Sequence, residues 1–336
     1  MKLGKVDLDK EILIVAEIGN NHEGDFELAK TMIAAAAQSG AQAVKFQTII
    51  PDKLVSIKEK KTLDLFRKFK FTLEQFAKLK EYSDDQKIIF LSTPFDVEST
   101  GFLDPLVPAF KISSGDNNYW SLIECVASTE KPIILSTGMA SFEDIRKTKE
   151  FIESCWRTRG IDQELIILHC VSLYPTPPAL ANLQTIPFLI EKLGGIVGFS
   201  DHTIGIEAPV LAVGLGARVI EKHFTLDKNF SDFPDHAISM DPRDLEDLVR
   251  RVNETKSLLG NYGLKIEEKQ NEIAKIARRS IVAKNDLPAG TILEWAHLDW
   301  VRPGDGLPPG KEGQLLGKTL KRDILHGHFI MPADLA

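Results

Sequence analysis

Two stretches decide the fold: Gly198-Phe199-Ser200-Asp201-His202-Thr203 and, further on, Val219-Ile220-Glu221-Lys222-His223-Phe224-Thr225. Each is a short apolar run that ends in a dense set of polar groups. A buried strand tolerates charge only where it meets a site or a partner. Glu221 and His223 are two positions apart and share one side of their strand. His202 and His223, at the ends of neighbouring strands, are placed to hold one metal ion between them.

The same texture recurs outward from this pair. Eight apolar runs, Ile12–Ile18, Ala43–Thr48, Ile88–Thr93, Ala109–Ser113, Pro132–Thr137, Leu165–Val171, Ile196–Ser200 and Val219–Phe224, read as strands covered on both faces. Amphipathic segments such as Phe26–Gln38, Leu73–Tyr82, Phe142–Ser154 and Ile206–Leu215 lie between them. Asp241 and Pro242 suit the cap and first position of a last helix ending near Leu259. The alternation predicts an α/β fold, a (β/α)8 TIM barrel, over residues 1–260. A doubly wound open sheet is the alternative, weakened because no G-x-G-x-x-G follows a strand. Residues 261–276 read as a linker. Residues 277–336, broken by Gly and Pro turns, read as a small all-β module.

In barrel enzymes the carboxyl ends of the strands form the active face. Here those ends carry Glu17, Lys45, Gln47, Thr93, Lys111, Ser114, Asp116, Ser136, His169, Ser172 and Tyr174. Lys45 and Lys111 sit inside apolar strands, where an unpaired ammonium is costly. They read either as members of buried ion pairs or as an anion site, with Ser114, Ser136, Ser172 and Ser200 as hydroxyl donors. A Schiff-base lysine is a further reading. His22, after the first strand, offers two readings, a loop-fixing residue or a substrate contact. Two imidazoles with oxygen ligands suit Mn²⁺ or Zn²⁺ over Mg²⁺, in an open site able to polarise a carbonyl.

The bulk properties set limits. A net charge of -7 argues against general binding to nucleic acid or anionic membranes. No run approaches the roughly 20 apolar residues needed to span a bilayer. The short apolar run at Ile12–Ala16 meets Glu17 at once, so no signal peptide is expected. Three widely spaced cysteines without a C-x-x-C read as reduced thiols. A cytoplasmic location is the expectation.

The motifs taken together resemble the sialic acid synthases. They are Ala16–Gly24, Val44-Lys45-Phe46-Gln47, Ser92-Thr93-Pro94-Phe95, Lys111–Asp116, Leu135–Met139, Tyr174-Pro175-Thr176-Pro177, Ser200–Thr203 and Glu221–Phe224. The tail from Arg278, with Val301-Arg302-Pro303-Gly304, is similar to that family's C-terminal antifreeze-like (SAF) domain. The resemblance implies condensation of phosphoenolpyruvate with an N-acetylated hexosamine, giving a nine-carbon 2-keto sugar acid and phosphate. N-acetylmannosamine is the first acceptor expected, and a diacetamido-trideoxyhexose, the precursor of legionaminic or pseudaminic acid, is the alternative. It implies that Lys45, Thr93, Lys111, Ser114, Ser136, Ser172 and Ser200 hold phosphoenolpyruvate. His202 and His223 would bind the divalent metal, Mn²⁺ first, with Mg²⁺ or Co²⁺ as alternatives. Glu17, Gln47 and Tyr174 would face the acceptor, joined by Arg302 from the partner of a domain-swapped homodimer. Glu17, Asp116, Glu221 and Asp235 would be the candidates for proton transfer. The rival readings are a Schiff-base aldolase using Lys45, Lys111 or Lys222, and a catalytically idle carbohydrate-binding barrel.

Overall fold

Strand residues alternate between two cores, and this alternation builds the site. The computed structural model describes residues 1–336. Eight parallel strands, β1 (Leu13–Gly19), β2 (Ala43–Thr48), β3 (Ile89–Pro94), β4 (Phe110–Ile112), β5 (Ile133–Ser136), β6 (Leu165–Cys170), β7 (Ile196–Asp201) and β8 (Val219–His223), pair in the order β3-β2-β1-β8-β7-β6-β5-β4. First and last strands pair, Val219 beside Leu13 and His223 beside Glu17. The end strands β3 and β4 pack together without a hydrogen-bonded ladder, so the ring is a near-closed TIM barrel.

The outward set of strand side chains, including Ile14, Ala16, Phe46, Phe90, Phe110 and Phe199, joins one core with the surrounding helices. The inward set, including Leu13, Val15, Ala43, Leu91, Ala109, Ile134, Ile166, Leu168 and Val219, forms a second core inside the barrel. Leu3, Val6 and Leu8 of an N-terminal ribbon join this inner core from the amino-terminal end of the strands. Two residues further along each strand the inward positions turn polar: Glu17, Lys45, Thr93, Lys111, Ser136, Cys170, Ser200 and Glu221. The barrel is thus a packed apolar plug below and a polar floor above.

Around it lie α1 (Phe26–Gln38), α2 (Leu73–Asp85), α3 (Val97–Leu103), α4 (Trp120–Ala127), α5 (Phe142–Arg159), α6 (Thr185–Leu193), α7 (Glu207–Gly214) and α8 (Pro242–Leu259). Their starts follow local chemistry. Asp25 caps α1, Thr72 and Gln75 form a capping box at α2, and Asp241 accepts from Arg243 and Asp244 N–H with Pro242 at the first position of α8. Two short helices, Pro51–Leu54 and Lys60–Phe69, are inserted between β2 and α2.

The chain divides after Gly260. In the second unit, Asn261–Ala336, β9 (Ser280–Ala283) pairs antiparallel with β10 (Leu298–Val301). Ile281, Leu287, Leu293, Leu298, Leu315, Leu320 and Ile330 make its own small core. The stretch 261–276, read as a linker, carries most of a helix, α9 (Gln270–Ala277). It groups with the second unit, and Gly304 N–H donates to the Lys275 carbonyl there.

Candidate active site

The polar floor closes on itself as a network of opposite charges. Lys45 Nζ lies 2.8 Å from Glu17 Oε2 and 3.7 Å from Glu221 Oε2, and Lys111 Nζ lies 3.7 Å from Glu221 Oε1. All four side chains are more than nine-tenths buried. Burial, the largest influence on each, acts with different opponents. It raises Glu17, with the nearby Glu221 charge adding to it and Lys45 offsetting only part. It also pushes Glu221 up, but Lys111, Lys45 and a 2.9 Å bond from Ser200 Oγ outweigh it and hold Glu221 low. Burial lowers Lys111; against the same burial, Glu17 and Glu221 hold Lys45 above its ordinary value. Two cations and two carboxylates of unlike affinity for protons therefore share one dry floor.

Above them is a cavity of about 380 Å³. It brings together Glu17, Lys45, Gln47, Thr93, Lys111, Ser114, Ser136, Ser172, Tyr174, Ser200, His202, Glu221 and His223, drawn from all eight strand ends. Lys45 donates to Thr93 Oγ1 (3.1 Å). Gln47 Nε2 donates to Glu17 Oε1 (3.3 Å) and its Oε1 accepts from Asn20 (2.8 Å). Ser136 Oγ and Ser172 Oγ are buried without a protein partner. Buried hydroxyls left unpaired beside two ammonium groups are what an anion-binding cradle presents.

The two histidines meet at the edge of the floor, ring centres 5.5 Å apart. His202 Nδ1–H donates to the Val171 carbonyl (2.9 Å), which leaves Nε2 with its lone pair free for a ligand. His223 is buried with Nδ1 unpartnered, and burial first, then the surrounding positive groups, holds it neutral. Burial alone would lower His202, but Cys170 and the Val171 carbonyl beside it outweigh burial and raise it. The neutral His223 and the open Nε2 of His202, on loss of its proton, fit a divalent metal. No set of three His, Cys, Asp or Glu side chains converges on one point, so the remaining ligands would be solvent or substrate oxygens. Tyr174, half exposed, lays its ring 4.1 Å from that of His202.

Two expected residues stand outside the cavity lining. Asp116 accepts from Ser113 Oγ (2.6 Å) on the turn after β4 and does not line the cavity. Asp235, on the loop helix Pro234–Ile238, sits behind His223 with Oδ2 3.6 Å from Nδ1, and burial pushes its carboxyl up to about 6. Arg302 belongs to the second unit. The Schiff-base reading loses one lysine. Lys222 has the outward parity of its strand and is locked to Asp201 (2.6 Å) and the Thr203 carbonyl (2.5 Å), away from the cavity. Asp201, next to His202 in the sequence, is spent on that bond and on Thr203. His22 is buried, its ring stacked 4.1 Å from that of Phe71, with Nδ1 accepting from Gly24 N–H: it fixes the loop. Sequence reasoning missed Cys170 and Phe95 in the cavity lining. Cys170 was findable, since it is the inward position after Leu168.

The sequence profile of the NeuB family matches residues 32–263, and that of the SAF domain matches residues 278–336. The chain belongs to the NeuB family. This NeuB-family chain is 37% identical to the N,N'-diacetyllegionaminic acid synthase of Campylobacter jejuni, over 96% of this chain and 99% of that protein. It is 35% identical to a pseudaminic acid synthase of the same species, covering 99% of each. Among solved structures, the N-acetylneuraminic acid synthetase of Leptospira borgpetersenii superposes with a TM-score of 0.77 at 35% identity. That match covers 81% of this chain and 94% of the other.

Proposed function

We propose that this NeuB-family chain condenses phosphoenolpyruvate with an N-acetylated hexosamine, giving a nine-carbon 2-keto sugar acid and inorganic phosphate. The carrying observation is the single cavity in which two buried lysines and unpaired hydroxyls face His202 and His223. The NeuB-family relatives, named for three such sugar acids, support the reaction class.

The residues divide the work. Lys45 and Lys111 would neutralise the carboxylate and phosphate of phosphoenolpyruvate, and Thr93, Ser114, Ser136, Ser172 and Ser200 would donate hydrogen bonds to their oxygens. Glu17, Gln47 and Tyr174 would face the sugar. A divalent ion held by His202 and His223, Mn²⁺ first and Mg²⁺ or Co²⁺ as alternatives, would supply Lewis-acid polarisation of the acceptor's aldehyde. The phosphoenolpyruvate methylene carbon forms a bond to that aldehyde carbon, and water adds to the enol carbon. The C–O bond to phosphate then breaks, leaving the 2-keto acid. Glu17, which burial inclines to keep its proton, is suited to give one to the new hydroxyl. Glu221, held ionised, is suited to take one from the attacking water. Asp235 would keep His223 in place. Asp116 would act only through Ser113.

We further propose a domain-swapped homodimer. Leu258, Tyr262, Leu264, Ile266, Ile273 and Ile276 are all strongly exposed, an apolar run that a second copy would cover. Arg302 of that copy would complete the acceptor site.

The test is phosphate release from phosphoenolpyruvate with Mn²⁺, run against N-acetylmannosamine and the two diacetamido-trideoxyhexoses. Release with one sugar establishes reaction and acceptor together. No release with any sugar, and no binding of phosphoenolpyruvate, overturns the proposal.

A further inference from the structure

The cradle of hydroxyls is not held by the strands alone. Ser114 follows β4 and Ser172 follows β6, and the two converge over Gly138, which stands two residues past Ser136 at the end of β5. An ideal Cβ on Gly138 would collide with Ser172 Oγ and stand 2.6 Å from Ser114 Oγ. Gly138 therefore sets the spacing of the row, and its own position has to be fixed. One side is fixed by the cradle itself, since Gly138 N–H donates to Ser114 Oγ (3.1 Å). The other side is fixed by a residue outside the cavity. Asn117 is buried, and its Nδ2 donates to the Gly138 carbonyl (3.0 Å) and, at 3.5 Å, to the Ser136 carbonyl. The backbone of Asn117 is in turn fixed by Thr148 on α5, whose Oγ1–H donates to its carbonyl (2.8 Å). The held peptide leads into Met139, a non-glycine residue in the left-handed region at φ 60°. Such a conformation persists only where the surroundings impose it, and such spots gather at functional sites.

We propose that Asn117 is the positioning residue of the anion cradle: its carboxamide clamps the Ser136–Gly138 turn and so sets the spacing of the Ser114, Ser136 and Ser172 hydroxyls. This rests on the reading of the cavity as the phosphoenolpyruvate site. Asn117 touches neither the cavity nor the acceptor side, so its effect falls on one substrate.

The experiment is calorimetric binding of phosphoenolpyruvate to the full chain, with KM for both substrates and thermal midpoints alongside. The variants are Asn117→Asp, which turns a carboxylate oxygen towards two carbonyls, and Thr148→Val, which removes only the hydroxyl that fixes Asn117. Asn117→Asp is expected to weaken phosphoenolpyruvate binding about tenfold or more, the effect of losing a positioned hydrogen bond near charge. Thr148→Val is expected to weaken it about two- to fivefold by the same principle, with the acceptor KM unchanged in both. If Asn117→Asp does not fold, Thr148→Val decides alone. Equal losses for the two substrates, or an unchanged phosphoenolpyruvate affinity in a folded variant, overturn the role of Asn117. Wild-type protein that fails to bind phosphoenolpyruvate overturns the cavity reading and this proposal with it.

Discussion

Glu17 and Glu221 illustrate how residue-scale chemistry depends on what faces each group. Both are buried carboxylates beside Lys45, yet Glu17 is raised and Glu221 is lowered, because Lys111 is the leading charge against burial at Glu221 and a minor one at Glu17, and Ser200 donates to Glu221. The histidines carry the sharpest test at this scale. His202→Ala or His223→Ala is expected to lower metal-dependent turnover by roughly two to three orders of magnitude, the worth of several kcal/mol of charge stabilisation. Titration calorimetry with Mn²⁺ should show the same loss in binding. Full wild-type activity in the presence of chelator would remove the Lewis-acid role. His22 predicts a pH dependence of stability. Burial pushes its folded-state value down to about 3, from 6.5. The neutral ring therefore stabilises the fold fully above 6.5, and that contribution is lost as pH falls through the window towards about 3. Between pH 7 and pH 4.5 the wild type should lose roughly 2–3 kcal/mol more than His22→Gln in urea denaturation. Parallel losses in the two proteins would clear His22 of this role.

At the scale of elements, the eight strands were legible because parallel strands buried on both faces leave continuous apolar runs. Runs such as Ala43–Thr48 and helix Phe26–Gln38 coincide with the observed elements. Less legible was which side of a strand faces the lumen. Parity settles it: Lys222 and Glu221 are adjacent and equally polar in the sequence, and only pairing shows that one is locked outside and the other lines the cavity. The inner core also has a constraint no pattern announces. On β7, a Cβ at Gly198 would lie 2.5 Å from the Val219 carbonyl and 2.6 Å from Leu168 Cδ2. Gly198→Ala should therefore destabilise the barrel by about 1–3 kcal/mol, the usual penalty of overpacking. The shift should appear as a lower urea midpoint with the slope unchanged. Because β7 carries Ser200 and leads into His202, turnover should fall with it. A wild-type midpoint would mean the inner core has room there.

At the scale of the whole molecule, two units each hold a hydrophobic core, and an exposed apolar run from Leu258 to Ile276 marks the stretch on either side of the division. If a second copy covers that run, sedimentation should give twice the 37.4 kDa of one chain. Replacing Leu264 and Ile273 by Ser should shift the equilibrium towards the single chain. Arg302→Ala should then raise the acceptor KM about tenfold or more, the cost of a lost charge-assisted contact, and leave that of phosphoenolpyruvate alone. An unchanged acceptor KM, or a stable monomer with full activity, would count against the swapped arrangement.

The amino-acid order alone shows the repeating βα texture, the polar strand ends and the turn-rich tail, because each is a local pattern written in neighbouring residues. It also named the lysines, hydroxyls and histidines of the cavity, since polar groups at the ends of apolar strands stand out. Which of them meet is visible only once the strands are paired. Asp116, Asp201 and Lys222 stand at or beside strand ends in the sequence, yet are held by Ser113, by each other and by the Thr203 carbonyl. Cys170 looked inert and lines the cavity, and Asn117 carried no signal until its carboxamide was seen on the Gly138 carbonyl. The physical reason is that a side chain's role depends on groups distant in sequence, which strand pairing brings within hydrogen-bond reach.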